Sequence, residues 1–314
     1  MLTLVWGLAA EPPIASVLHE LELRHAPTVF LDQHQLLQTR FDLCMDSSGR
    51  AAGALHLGAD AYALEDVTAV YARPYDSRAL PAVEAAGYAS DAWQHGIALD
   101  DALWAWTDVT PALVVNRVGP TSTNGSKPYQ LMRIRDVGFE APETLITTDP
   151  DEADTFWAEH RDVVYKSISA TRSIVHPLVE AHRARLADIA ACPTQFQRRV
   201  PGTDYRVHVV GDELFTCRIA SRATDYRYPS QHDVDIAAAS LPNHVEEWCM
   251  RAAHLLELHV AGIDLRRTPD DAWYCFEVNP SPAFTYFEDA TSLPIGAAIA
   301  RLLHFGASAG QRIV

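Results

Sequence analysis

The sequence predicts an α/β protein, a small N-terminal βαβ unit followed by two α+β lobes. Three observations carry this. The chain opens on an apolar run, an amphipathic helical stripe and a second apolar run, at Leu2–Trp6, Ile14–Leu21 and Thr28–Leu31. Helical and strand-like segments then alternate from Lys127 to Lys166, and the last third is mostly short strand-like segments. A chain of 314 residues exceeds the ~250–300 at which single cores stop growing, so two or three packed units are expected.

Leu2–Trp6 reads as a first buried strand. No basic segment precedes it and no small-residue cleavage site follows, which argues against a signal peptide. After Pro12-Pro13, Ile14, Val17, Leu18 and Leu21 fall at i, i+3, i+4 and i+7, one face of a helix. Thr28–Leu31 reads as the second strand, with a right-handed crossover expected between the two. Phe41–Cys44 and Ala54–Leu57 flank the turn-rich Asp46-Ser47-Ser48-Gly49 and suggest a hairpin. Val67–Tyr71 reads as another strand, and Ala82–Trp106 as mostly helix, broken near Gly87 and Gly96.

Residues 116–126, rich in Gly, Ser, Thr and Asn, read as a linker. Ser126 is placed to cap a helix that starts at Lys127-Pro128 and ends at Gly138. A strand at Glu143–Thr147, a helix from Asp149-Pro150 to about His160 and a strand at Val163–Lys166 complete this lobe. In the last third, Gln195–Val200, Asp204–Val210, Leu214–Ile219, Gly262–Arg266 and Trp273–Val278 read as strands. A helix from about Asn243 to His259 lies between them, and an apolar helix at Pro294–Leu303 closes the chain.

Composition narrows the function. A formal charge of −16 argues against partners that need a broad positive field, nucleic acid and anionic membrane. No apolar run approaches the ~20 residues of a membrane span. Five scattered cysteines suit reduced thiols in a cytoplasmic protein better than a disulfide framework or a zinc site. Of the 25 basic residues only Lys127 and Lys166 are lysines. Lysine is a compact, strongly hydrated cation, the kind that crowded phosphates call for.

The sharpest local pattern is Glu277-Val278-Asn279-Pro280-Ser281-Pro282, preceded by Gly262-Ile263-Asp264. In a strand, Glu277 and Asn279 share a face while Val278 points into a core. With Asp264 they form a hard, all-oxygen set suited to Mg2+ bound together with substrate phosphates. Asp204 and Arg206 alternate onto one face in the same way, and Arg218, Arg222 and Arg227 add cationic forks that would face a triphosphate or form surface salt bridges.

Together these residues resemble the ATP-grasp superfamily, and within it the RimK-like peptide ligases that include the microviridin-type (graspetide) macrocyclases. The resemblance covers residues 116–304, and extends through Gly138–Thr147 and Tyr71-Ala72-Arg73-Pro74. It implies an ATP-grasp fold behind an N-terminal Rossmann-like domain, with divisions at 1–115, 116–194 and 195–314. Lys127 and Lys166 match the family's two phosphate-holding lysines, and Gln195-Phe196-Gln197 match its hinge beside adenine. Asp264, Glu277 and Asn279 match its metal ligands, and Arg206 its phosphate- and acyl-contacting arginine. Asp204 is grouped with the nucleotide-binding residues, and Arg222 is a weaker match among the catalytic ones.

The resemblance implies ATP and one or two Mg2+ ions, with Mn2+ as a substitute, and a ligase that works through an acyl phosphate. The substrates implied are a carboxylate on a peptide or small molecule and an amine or hydroxyl. A ligase of free amino acids, a phosphotransferase and a non-catalytic nucleotide-binding module are the alternatives, and a homodimer is the default assembly. Three positions depart from the family pattern. Ser167–Ser173 contains no glycine where the family has a glycine-rich phosphate loop; Arg198 stands where relatives place an acid; and Ala283 stands where they place glycine.

Overall fold

The computed structural model describes residues 1–168, 174–221 and 234–306. β1 (Leu2–Gly7), α1 (Pro12–Leu23) and β2 (Thr28–Asp32) form the expected βαβ start, with the strands parallel and Thr3 opposite Thr28. Pro12 and Pro13 sit in the first turn of α1, where a missing N–H costs no helical bond. β3 (Thr39–Met45) and β4 (Ala51–Leu57) form the expected hairpin, and β5 (Asp60–Ala63) adds a third antiparallel strand. β6 (Val67–Ala72) pairs with the other edge of β1. After α2 (Pro81–Ala86) and α3 (Asp91–Val109), β7 (Leu113–Val115) completes a parallel sheet of order β2-β1-β6-β7.

The expected break at Gly87 is present, but Gly96 lies inside α3. A Cβ there would approach Leu36 and Ser77 at 3.3 and 3.4 Å, so the glycine permits close packing rather than interrupting the helix. Residues 116–126 also differ from an open linker. Asn116 is buried, and α4 (Val118–Ser122) leads directly toward α5 (Lys127–Val137). Ser126 precedes α5 without a side-chain capping bond. Gly138 ends α5 at a φ of 119°, where a Cβ would press on the Trp248 ring at 2.6 Å.

β8 (Thr144–Thr147), α6 (Pro150–His160), β9 (Val163–Ser167), β10 (His176–Pro177) and β11 (Thr194–Arg198) build a four-stranded sheet of order β10-β9-β11-β8. β11 ends two residues before the expected Val200. α6 is capped by Asp149, whose carboxylate accepts from the Asp151 N–H at 2.9 Å. Trp157, Val163, Leu178, Ile189 and Phe196 form the core of this unit.

β12 (Thr203–Val210), β13 (Glu213–Ser221), β14 (Val234–Ala239), α7 (Asn243–Leu255), β15 (Val260–Arg267) and β16 (Trp273–Asn279) follow. Their strands form an antiparallel sheet of order β14-β13-β12-β15-β16. α8 (Thr285–Thr291) and α9 (Ile295–Phe305) close the described chain. α7 stops before the expected His259, because Glu257 turns to a φ of 56°.

Two shared cores tie these parts together. α1 contributes Ile14, Val17 and Leu21 to one apolar cluster with Ile295, Ile299 and Leu303 of α9, so the N-terminal sheet is packed directly on the C-terminal region. α5 sends Ile134 and Val137 into the cluster of the five-stranded sheet, with Val207, Cys249, Ile263 and Val278. The four-stranded sheet keeps its own core, and a cleft opens between it and the five-stranded sheet.

Candidate active site

The cleft is lined by Lys166, Gln197 and Arg198 from the four-stranded sheet and by Asp204, Asp264 and Glu277 from the five-stranded one. The strand registers explain the convergence. Asp264 lies opposite Glu277 across β15 and β16, and Gly262 lies opposite Asn279. On the other flank of β15, Arg206 lies opposite Asp264, and Asp204 opposite Arg266. Directly opposed residues of antiparallel strands share a face, so the acids and arginines meet there.

Two cross-strand ion pairs result, each between directly opposed residues. Arg206 Nη1 donates to Asp264 Oδ1 at 2.7 Å, and Arg266 donates to the two Asp204 oxygens at 2.6 and 2.9 Å. Lys127, at the first turn of α5, forms an ion pair with Glu277 and donates to Asn124 Oδ1 at 3.4 Å. Gln130, one turn further on, fixes α5 against β16. Its amide donates to the Val278 carbonyl at 2.7 Å and accepts from the Val278 N–H at 3.3 Å. Both carboxylates of the expected metal set are therefore already matched by a buried cation.

Lys166 on β9 and Gln195 on β11 are opposed in register, and both are buried. Gln195 Oε1 is buried with no partner among the described residues, an acceptor left open beside the cleft. Gln197 donates to Thr144 Oγ1 at 2.9 Å. Phe196 points the other way, into the core of its own sheet. Arg198 pairs with Glu143 and donates to the Tyr274 hydroxyl at 3.2 Å, linking the two sheets at the cleft's rim. Arg222 and Arg227 lie outside the described residues, as do 169–173 of the glycine-free loop, and Arg218 is half exposed, 3.8 Å from Asp235 on the surface.

Two carboxylates and the Asn279 amide oxygen, all on adjacent strands, are a hard donor set that fits a divalent cation of the Mg2+ class. Asn279 Oδ1 accepts from the Ser281 N–H at 2.9 Å, which orients the amide. The acids' need for positive charge shows in the two cations drawn against them. Behind Arg206 lies His208, fully buried, whose Nε2 accepts from Arg206 Nε at 3.5 Å. Burial, and then the Arg206 charge, hold its imidazole well below the usual pKa and keep it neutral. Burial likewise pushes the Cys275 thiol well up, so this cysteine on the core face of β16 is no nucleophile.

Comparison with known proteins decides the family. Residues 127–303 match the RimK-like ATP-grasp domain. The chain belongs to the RimK-like ATP-grasp family. Among the relatives of this RimK-like protein is the ribosomal protein bS6–L-glutamate ligase of Escherichia coli O81 (strain ED1a). It is 27 % identical over 176 residues, covering 52 % of this chain and 58 % of that protein, so the chain matches little more than half of that relative's length.

Solved ATP-grasp structures are similar along almost the whole chain. The macrocyclase MdnC of Microcystis aeruginosa, bound with precursor peptide MdnA, superimposes with a TM-score of 0.81 at 22 % identity, over 96 % of this chain and 99 % of that one. The ATP-grasp ligase PsnB, complexed with a phosphomimetic variant of its minimal precursor, Mg and ADP, gives 0.76 at 25 % identity, over 96 % and 97 %. The ATP-grasp fold expected from the sequence is therefore present.

Sequence reading missed several residues that shape this candidate site. Gln130 and Asn116 look like ordinary polar residues of a helix and a linker, and only the fold shows them buried. Gly262 was read as part of a strand, yet a Cβ there would overlap the Arg206 guanidinium and lie 2.7 Å from Pro282 Cβ. A glycine two residues before a candidate metal ligand was the available signal.

Proposed function

We propose that this chain is an ATP-dependent, ADP-forming ligase that activates a peptide carboxylate as an acyl phosphate and joins it to an amine or hydroxyl. One observation carries the reading: Lys166 and Gln197 face Asp264 and Glu277 across a single cleft, with Lys127 and Arg206 against the two acids. ATP would lie in this cleft with its phosphates toward Lys127 and Lys166 and its base along the β11 backbone at Gln195, Phe196 and Gln197, the Phe196 side chain facing the core behind it. Asp264, Glu277 and Asn279 would hold Mg2+, which supplies charge screening at the phosphate oxygens.

The substrate carboxylate attacks the γ-phosphorus, the bond to the bridging oxygen breaks, and ADP leaves with the electron pair. Arg206 is placed to disperse the charge of the transferring group. The amine or hydroxyl then attacks the acyl carbon, phosphate departs, and the nucleophile's proton goes to solvent. Activation of this kind replaces one hard step by two easier ones and needs no side-chain nucleophile. Two solved relatives in this fold are complexed with precursor peptides, which favours a peptide as the substrate.

The test is release of ADP and phosphate from MgATP, challenged in turn with acidic peptides, dipeptides and pooled amino acids, with hydroxylamine present. Peptide-dependent release with a peptide hydroxamate is the expected result. Release with free amino acids alone would replace the peptide by a small-molecule substrate. A stable phosphorylated product indifferent to hydroxylamine would replace ligation by phosphotransfer.

A further inference from the structure

We propose that Arg73 is a positioning residue for the metal-binding turn, through which the N-terminal sheet sets the geometry of Asn279. β16 ends at Asn279, and the next three residues, Pro280-Ser281-Pro282, leave the ladder. Two of them are prolines without an N–H, so this turn has few donors of its own to anchor it. Its carbonyls are instead taken by side chains that follow two strands of the N-terminal sheet. Asn116 Nδ2 donates to the Pro280 carbonyl at 2.6 Å, and Arg73 Nη1 to the Pro282 carbonyl at 3.2 Å.

Both residues sit just beyond the ends of neighbouring parallel strands, β6 and β7, where Tyr71 and Val115 are in register. Asn116 is braced by donating to the Val260 carbonyl at 2.7 Å and accepting from the His259 N–H at 2.8 Å. Arg73 is braced by Glu11, at the start of α1, through Nε at 3.0 Å and Nη2 at 2.6 Å. Its planar fork thus spans a carboxylate and a backbone carbonyl at once, in a fixed geometry that a lysine's single flexible ammonium does not impose. The pair is largely buried, with side-chain exposures of 10 and 14 %.

A simpler role would be to dock the N-terminal unit, but the apolar contact of α1 with α9 already does that. What the Arg73 bond adds is a fixed position for the turn that follows the Asn279 amide. Groups that orient metal ligands in this indirect way typically change metal affinity or activity by about 10- to 100-fold when removed. The inference rests on reading Asn279 as a metal ligand in a nucleotide cleft.

The experiment measures Mn2+ binding by electron paramagnetic resonance in the full chain saturated with ADP, and ADP binding without metal, for wild type and Arg73→Met. The expected result is a Mn2+ affinity at least about tenfold weaker in the variant, with metal-free ADP affinity unchanged. Glu11→Gln, which loosens Arg73 but keeps the shape, should shift Mn2+ affinity in the same direction, and it carries the test if Arg73→Met does not fold. Unchanged Mn2+ affinity with a lowered melting temperature would make Arg73 a docking residue only and overturn the proposal. Failure of the wild type to bind ADP at all would overturn the nucleotide reading itself.

Discussion

Lys127 forms an ion pair with Glu277, so a lysine expected to hold phosphate instead holds a carboxylate of the expected metal set. Arg206 does the same to Asp264 at 2.7 Å. Without nucleotide, a divalent ion must compete with both cations; with nucleotide, phosphate oxygens offer the lysine another partner. Metal and nucleotide should therefore bind with strong mutual dependence. Mn2+ affinity, followed by electron paramagnetic resonance, is expected to rise about tenfold or more when ADP is added. Lys127→Met should shrink that ratio by tightening binding of Mn2+ alone and weakening ADP, since a charge-assisted hydrogen bond contributes about 1.5–3 kcal/mol. Equal Mn2+ affinity with and without ADP in the wild type would contradict the exchange.

Asp264 cannot be removed without consequence for Arg206, whose side chain is only 7 % exposed. Breaking a buried pair from one side costs about 3–5 kcal/mol, and Asp264's own 19 % exposure places this case toward the lower end. Asp264→Ala should thus lower both turnover and the urea midpoint. Asp264→Asn keeps an acceptor for Arg206 and should retain most of the stability while ADP release falls about a hundredfold or more. Turnover near wild type in the Asn variant would remove Asp264 from the metal set.

Gly262 lets the Arg206 side chain lie flat over β15 on its way to Asp264. Gly262→Ala would put a methyl into the guanidinium and 2.7 Å from Pro282 Cβ, so the Arg206 side chain must move aside. Overpacking of this kind costs about 1–3 kcal/mol, so the chain should still fold. Misplacing Arg206 by about 1 Å is the greater effect, on the order of a hundredfold in turnover. Urea unfolding beside steady-state ADP release separates the two, and near-normal release would show that the arginine can act from another position.

The site was legible where its chemistry is carried by strand alternation. Glu277 and Asn279 could be put on one face because side chains repeat every two residues, Asp264 could be placed only at the end of a neighbouring strand, and the two lysines stood out against an arginine-rich background. What the sequence hid is what depends on long-range register. Nothing local says that Arg206 meets Asp264 while Asp204 meets Arg266, or that Gln130 reaches across 148 positions to Val278. Fold elements were missed for local reasons. β14 ends in Ala237-Ala238-Ala239, whose helix propensity yields to edge pairing with β13. Gly96 and the segment 116–126 looked like interruptions because glycine and small polar residues mark loops on average. In this chain they serve close packing in α3 and a buried Asn116 instead.

His208 gives the fold a pH dependence of known sign. In the folded chain, burial and the Arg206 charge hold its pKa well below 6.5, and Nε2 is already engaged by Arg206 Nε. His259 is lowered as well, by burial first and then by Arg117. In the unfolded chain both titrate near 6.5, so below that pH the unfolded state binds more protons and stability falls as pH falls. The stabilisation is fully present above about pH 6.5 and is lost progressively toward the folded-state pKa values, at up to about 1.4 kcal/mol per pH unit for each shifted group. Urea unfolding between pH 7.5 and 5 should show this decline. His208→Gln keeps an acceptor for Arg206 Nε, cannot titrate, and should flatten the slope by close to one proton's worth. An unchanged slope in that variant would mean that His208 binds protons equally in the folded and unfolded chains, contrary to a buried neutral imidazole beside Arg206.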